Sequence, residues 1–326
     1  MCNRCREAKS QYKVRSIALC RRCFEGGVNA RLVRCLHPPL LPTERQRGAF
    51  PRPSTQSGAV LVALSGGAGS TALLELLHTR DYFPNSSQRP PVWQRAVAVH
   101  VDFSSVTDTP SQVDHLREFA ETRGIEFVGL SAEDVFDPEL RARLGVPGVH
   151  AAALGVDLAA AGLPLEPVAS SSAASPLDQL QALLAALPPP SRPALLSHIL
   201  ESLLSTAAGM PGIAHLLVGE TSTREAQRVI SGTASGRGWS LPLELARART
   251  LPSASGSDAE GVPLPAGVVR IKAIKELSLK EAALWCHARG LETANERRWD
   301  STVGGARRDA RGKGTIASIE ALTERA

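Results

Sequence analysis

The sequence predicts an α/β fold built on a parallel sheet and preceded by a small cysteine-bearing module. Three observations predict it. Short apolar runs alternate with segments of helical spacing, a glycine–serine turn joins the first such run to its helix, and five of the six cysteines crowd into residues 1–35. Strand–helix alternation favours βαβ units and therefore parallel strands. The 326 residues, 43% hydrophobic and 21% charged, supply apolar material for one large domain with an appendage, or for two domains. No apolar run nears the ~20 residues that a membrane-spanning helix needs. The opening Met1-Cys2-Asn3-Arg4-Cys5 has no secretory pattern. Cysteines clustered at one end disfavour a disulfide-stapled secreted fold, so a cytosolic or nuclear protein without a membrane partner is expected.

The elements follow in order. Residues 1–36 form the cysteine module, and a basic linker occupies 37–57. The α/β domain is expected over 58–295. Ala59-Val60-Leu61-Val62-Ala63-Leu64 is a buried-strand run, and Thr71 to Leu77 has helical composition. A second strand run lies at Val97 to Asp102, a helix at Val113 to Arg123, and a third strand at Ile125 to Leu130. Ala-, Ser-, Pro- and Gly-rich stretches near 145–176 and 251–267 read as insertions. Between them, helices at Leu177 to Leu187 and Ala194 to Ala208 are broken by Pro188-Pro189-Pro190, and a strand at His215 to Glu220 leads into a helix from Thr221 to Ile230. A short strand at Val268 to Ile271 precedes a helix over Ser278 to Arg289, capped by Ser278 and closed by Gly290.

Charge is unevenly placed. Residues 1–48 hold eleven Lys/Arg against three Asp/Glu, so this net +8 leaves −3 for the rest of a chain whose total is +5. Cys2-x2-Cys5, fourteen residues, then Cys20-x2-Cys23 gives two thiolate hooks, a pattern suited to tetrahedral structural Zn2+. Four protein ligands leave the metal no open position for chemistry. Cys35 reads as a buried free thiol rather than a fifth ligand. Arg4, Arg6, Lys9, Lys13, Arg15, Arg21 and Arg22 run through the same module and make it a candidate RNA-binding surface, the alternative being a solvated basic face. Residues 296–326 form a basic, glycine-containing segment whose Arg307, Arg308, Arg311 and Lys313 are further RNA-binding candidates.

Ser65-Gly66-Gly67-Ala68-Gly69-Ser70 lies where the first strand ends and a helix begins. Glycines allow a tight turn and close approach, and the N–H groups of a helix start favour anions. Neither the dinucleotide nor the Walker spacing fits. Asp102 and Glu220, each at a strand end, and Arg237, between Gly236 and Gly238, are candidate supporting residues near a nucleotide. Each also has a plain reading as a turn or surface residue. His100 reads as a core histidine.

The string Ser65 to Ser70 resembles the SGGxxS loop of the PP-loop ATP pyrophosphatases. The hooks ending Cys20-Arg-Arg-Cys23-Phe24 resemble the start of the cytoplasmic tRNA 2-thiolation protein 2 family. So do Gly219-Glu220-Thr221-Ser222, Thr233 to Gly238, and Lys313 to Thr323. The resemblance implies a parallel sheet of the adenine nucleotide alpha hydrolase-like type. It also implies a part in 2-thiolation of the wobble uridine of cytosolic tRNAs for Lys, Glu and Gln. The expected partners are a catalytic PP-loop thiolase paralogue forming a heterodimer, tRNA and, indirectly, a ubiquitin-like sulfur carrier with a C-terminal thiocarboxylate. In that chemistry the uridine C2 oxygen is adenylated and sulfur then displaces AMP. Members of the family continue beyond the Lys313 to Thr323 match, so a truncated C-terminus is expected.

Two departures bear on catalysis. Active relatives carry SGGxDS, whose Asp helps hold the Mg2+ that bridges ATP phosphates; here the position is Gly69. Residues 36–285 contain no cysteine, and Cys286 reads as a packing thiol within a helix. The expectation is a non-catalytic subunit with a degenerate loop formed by Ser65, Gly66, Gly67, Gly69 and Ser70. Two alternatives stay open: a self-sufficient ATP-dependent adenylating enzyme that modifies tRNA, and a zinc-scaffolded RNA-binding module without nucleotide.

Overall fold

In the computed structural model the described residues are 1–36, 39–40, 53–84, 89–107, 109–147, 175–234, 236–251 and 267–294. Most of the linker, most of both insertions and the whole C-terminal basic segment with Arg307, Arg308, Arg311 and Lys313 lie outside them.

The chain begins with an antiparallel hairpin of β1 (Tyr12–Val14) and β2 (Ile17–Leu19). Its two turn residues, Arg15 and Ser16, have φ of 49° and 66°, the left-handed pair that a two-residue hairpin turn requires. α1 (Arg21–Leu36) follows. The main domain then runs β3 (Ala59–Ala63), α2 (Ala68–Thr79), β4 (Ala96–Asp102), α3 (Val113–Glu121) and β5 (Glu126–Ser131). A 3-10 turn over Ala132–Phe136 leads to α4 (Leu140–Arg143). α5 (Pro176–Ala186) and α6 (Arg192–Ala208) are separated by a proline-bearing 3-10 turn, as the three prolines predict. The remaining elements are β6 (Ile213–Val218), α7 (Ser222–Ala234), α8 (Leu241–Glu244), β7 (Ala248–Thr250), β8 (Val269–Lys272) and α9 (Leu279–His287).

The sheet order is β5-β4-β3-β6-β8-β7, parallel throughout except for the antiparallel edge strand β7. The chain builds outward from β3 to β4 and β5, then returns to place β6 on the other side of β3. The carboxyl ends of β3 and β6 therefore flank the topological switch point, where open α/β sheets bind ligands. Strands covered on both faces need continuous apolar runs, and Val60, Leu61 and Val62 are fully buried. One face packs α1, α2 and α9 through Leu32, Leu73 and Trp285; the other packs α5 and α6 through Leu180 and Leu203.

The cysteine module is joined to this core. Phe24, Val28, Leu32 and Leu36 of α1 share one apolar cluster with α2 and α9, and Phe24 lies 6.5 Å from Trp285 between ring centroids. Glu281, 1% exposed, ties the two parts together. Its carboxylate pairs with Arg31 of α1, accepts from Arg15 of the hairpin turn at 3.2 Å, and caps α9 by accepting from the Ser278 N–H at 2.9 Å. Burial alone would raise its pKa, but the Ser278 N–H and the Arg31 guanidinium outweigh burial and lower it. A depressed carboxyl stabilises the fold above the unfolded-state pKa and loses that contribution as pH falls through the folded value. Glu281→Gln is expected to lower unfolding stability by about 2 kcal/mol at pH 7. The gap from wild type should close below roughly pH 4, measured by urea denaturation across pH.

Candidate functional site

The turn from β3 into α2 sits at the switch point and is held by its own atoms. Gly66 takes φ +77°, which a side chain would resist. The Ser70 hydroxyl accepts from the Ser65 N–H at 3.1 Å, lies 3.1 Å from the Ser65 hydroxyl and donates to the Gly67 carbonyl at 3.2 Å. Thr71 donates its hydroxyl to the Gly66 carbonyl at 3.3 Å, and the Ala294 N–H donates to the same carbonyl at 2.9 Å. The chain after α9 thus closes over the loop. His100 Nδ1 donates to the Leu64 carbonyl at 2.8 Å, and burial lowers its pKa, so it is a neutral core imidazole that fixes the loop's entrance.

Gly69 faces the other half of the switch point. A Cβ at Gly69 would lie 2.3 Å from the Gly219 carbonyl oxygen, and a Cβ at Gly219 would lie 2.6 Å from the Ser70 backbone. The two turns therefore touch backbone to backbone, and each glycine is required by the other. The direction in which a residue 69 carboxylate would leave the main chain is filled by that carbonyl.

The other candidates are engaged. Asp102 accepts from the Ser111 hydroxyl at 2.6 Å, the Ser104 N–H at 2.9 Å and the Ser104 hydroxyl at 3.0 Å. Burial pushes its pKa up, and these hydrogen bonds outweigh burial and bring it down. Glu220 lies 2.8 Å from Arg228 and 2.7 Å from the buried Lys272, in a network that also holds Glu225. Burial opposes ionisation of Glu220, but Arg228 and Lys272 overcome it and lower the pKa. Arg237 is half exposed and reaches Glu244 at 3.6 Å. Among the described residues, each of these carboxylates near the loop already has protein partners, and none stands free for a Mg2+ ion.

Cys286 is a residue whose position the sequence concealed. Its thiol is buried against the loop, 3.6 Å from the Ala68 carbonyl, and burial with the nearby Glu75 pushes its pKa to about 12. A thiol held protonated at neutral pH is a packing group, not a nucleophile.

The four hook cysteines do converge. Cys2, Cys5, Cys20 and Cys23 place their sulfur atoms within 4.8 Å of one another. Within the cluster the Cys5 N–H lowers the Cys2 thiol to about 6, whereas burial and the neighbouring sulfurs push Cys23 up to about 12. The donor set fits a four-coordinate metal ion. Cys35 is fully buried and apart from it. Around the cluster Arg4, Arg6, Lys9, Lys13, Arg15, Arg21 and Arg22 are all exposed; Arg15 also reaches Glu281, and Arg21 pairs with Glu25.

These elements define an α/β protein with a mostly parallel sheet and a glycine–serine loop at its switch point. The solved U34-tRNA thiolase NcsA from Methanococcus maripaludis, which carries a [4Fe-4S] cluster, shares the fold, with a TM-score of 0.57 and 16% identity over 93% of this chain and 77% of that one. The chain is similar in sequence to Cytoplasmic tRNA 2-thiolation protein 2 from Phaeosphaeria nodorum, 27% identical over 251 residues. Proteins of the same name from Sclerotinia sclerotiorum and Pyrenophora tritici-repentis are 26% and 27% identical. Each match covers 75% of this chain but only 57–60% of the relative's own length. No protein-family model matches the chain.

Two glycine substitutions separate close approach from ordinary helix propensity. Gly69→Ala is expected to cost about 1–3 kcal/mol because the Gly219 turn must move. Gly26→Ala, in α1 with nothing within 4 Å of its added Cβ, is expected to stabilise by about 0.5–1 kcal/mol. Thermal and urea unfolding of both variants checks the contrast.

Proposed function

We propose that this chain serves wobble-uridine 2-thiolation of cytosolic tRNAs for Lys, Glu and Gln as the non-catalytic partner of a PP-loop thiolase. The name shared by its three relatives, the fold of a U34-tRNA thiolase and the motifs from Cys2 to Lys313 support the reading. The partner forms a heterodimer with this chain and does the adenylation. Sulfur comes from a ubiquitin-like carrier bearing a thiocarboxylate, and the work takes place in the cytoplasm.

One observation carries the non-catalytic assignment: at the position where the motif's metal-holding Asp belongs there is a glycine whose Cβ direction ends on the Gly219 carbonyl. The buried, protonated Cys286 supports it, because no reactive sulfur is offered at the loop. In this reading residues 65–70 keep the shape of a nucleotide loop and act as a structural joint. The four cysteines hold a structural zinc ion, and the surrounding cations, with the basic segment 296–326, contact tRNA. The chain comprises the zinc module 1–36, the linker 37–57, the PP-loop-like domain 58–295 and that segment.

Reconstitution tests the assignment. Thiouridine is expected in a tRNA transcript only when this chain is mixed with the catalytic subunit, ATP and a sulfur donor. Thiouridine formed without the second subunit would contradict it. The purified chain is also expected to carry one zinc per molecule by metal analysis. Cys20→Ser should abolish stoichiometric zinc and, because α1 is part of the core, lower the melting temperature of the whole chain. An iron–sulfur absorbance or a metal-free wild type would overturn the zinc assignment.

A further inference from the structure

Seven large apolar side chains are exposed among the described residues, and four lie close in sequence: Val229, Ile230, Trp239 and Leu243. They belong to one hairpin. Gly232 lets α8 lie against α7, since a Cβ there would meet Leu241 Cδ2 at 2.6 Å. Trp239, in the connecting turn, is 85% exposed, whereas Trp93 and Trp285 are buried. Leaving an indole in water forgoes the gain from burying one of the largest apolar side chains. The turn leaves the ring accessible. Gly236 takes φ +73°, and both Gly236 and Gly238 have open space where a side chain would stand.

Charge on the hairpin leans positive. Residues 222–244 contain three cations, Arg224, Arg228 and Arg237, and two acids, Glu244, which faces Arg237, and Glu225. Glu225 is buried and faces Lys272 and Lys275, so it adds no negative charge to the surface. Arg237 touches Glu244 only at 3.6 Å, beyond hydrogen-bond distance, and its guanidinium is half exposed. An accessible π-face beside an arginine that its acidic neighbour, Glu244, holds only loosely suits unpaired nucleotides. Every base can stack on the ring, and the arginine meets the adjoining phosphate. A protein hot spot, by contrast, sets its tryptophan into a packed surround, and this ring stands clear of its neighbours.

We infer that the α7–α8 turn binds an unpaired RNA segment, with one base stacked on Trp239 and the neighbouring phosphate at Arg237. The inference rests on the proposed role at tRNA and adds a contact apart from the cysteine module. The test uses the full chain and fluorescein-labelled octauridylate RNA, read by anisotropy and by quenching of tryptophan emission. Wild type is expected to bind with quenching. Trp239→Ala should lose most of the quenching and weaken binding about ten-fold, the order of one base stack, while Trp239→Phe keeps most of the affinity. Arg237→Ala should weaken binding and make it less sensitive to salt.

Affinity of Trp239→Ala within about two-fold of wild type would overturn the site. If that variant instead bound the catalytic thiolase subunit more weakly, the hairpin would be a protein-docking surface and the RNA site would be wrong. Thiolation assays run in parallel separate the two readings. Thiolation by the wild-type pair with normal RNA binding by Trp239→Ala removes this site and leaves the proposed function. Quenching that depends on Trp239, without thiolation by the wild-type pair, does the reverse.

Discussion

The contact on which the site depends is the meeting of two backbones, Gly69 in the β3–α2 turn and Gly219 after β6. Neither turn can carry a side chain where they touch, because each would drive a Cβ into the other's main chain. At the switch point of the sheet the two turns thereby meet through peptide groups. The serine hydroxyls of the loop follow the same logic. Ser70 satisfies the Ser65 N–H and the Gly67 carbonyl, so the loop keeps its shape through internal hydrogen bonds. The loop's polar groups answer one another, and its backbone meets the turn after β6.

The same economy of partners marks the rest of the carboxyl edge. Asp102 is held by two serines, and Glu220 and Glu225 are drawn into the buried network around Lys272. These residue types in an open crevice would invite a metal or ribose. Here each has protein partners at hydrogen-bonding or ion-pairing distance. The cysteine cluster is built in the opposite sense, with four sulfur atoms turned towards one point within 4.8 Å of one another. Through α1 and Glu281 that cluster is tied to the helix that backs the loop, so a metal held there would be linked to core stability.

Much of this was legible in the sequence, for physical reasons. Strands buried on both faces must be runs such as Ala59-Val60-Leu61-Val62, and helices broken by three prolines must stop there, so those elements were readable. The Ser278–Glu281 capping box marked the start of α9. α1 was hidden because Gly26-Gly27 sits in its middle and its stability comes from packing against Trp285, not from propensity. The β1–β2 turn was hidden too, since Arg15-Ser16 lacks the asparagine and glycine that announce such turns. The loop's string and the absence of its aspartate were visible at once. The reason glycine is needed at position 69 was not, because the Gly219 carbonyl is distant in sequence. Cys286 at the loop and the inward turn of Glu225 were concealed by the same long-range packing.

Magnesium dependence of ATP binding to the purified chain decides whether the loop holds a catalytic cation. Calorimetric titration should give the same result with Mg2+ as with EDTA: no binding, or weak binding with an unchanged Kd. ATP binding that tightens about ten-fold or more when Mg2+ replaces EDTA, a difference of about 1.4 kcal/mol, would contradict the non-catalytic assignment.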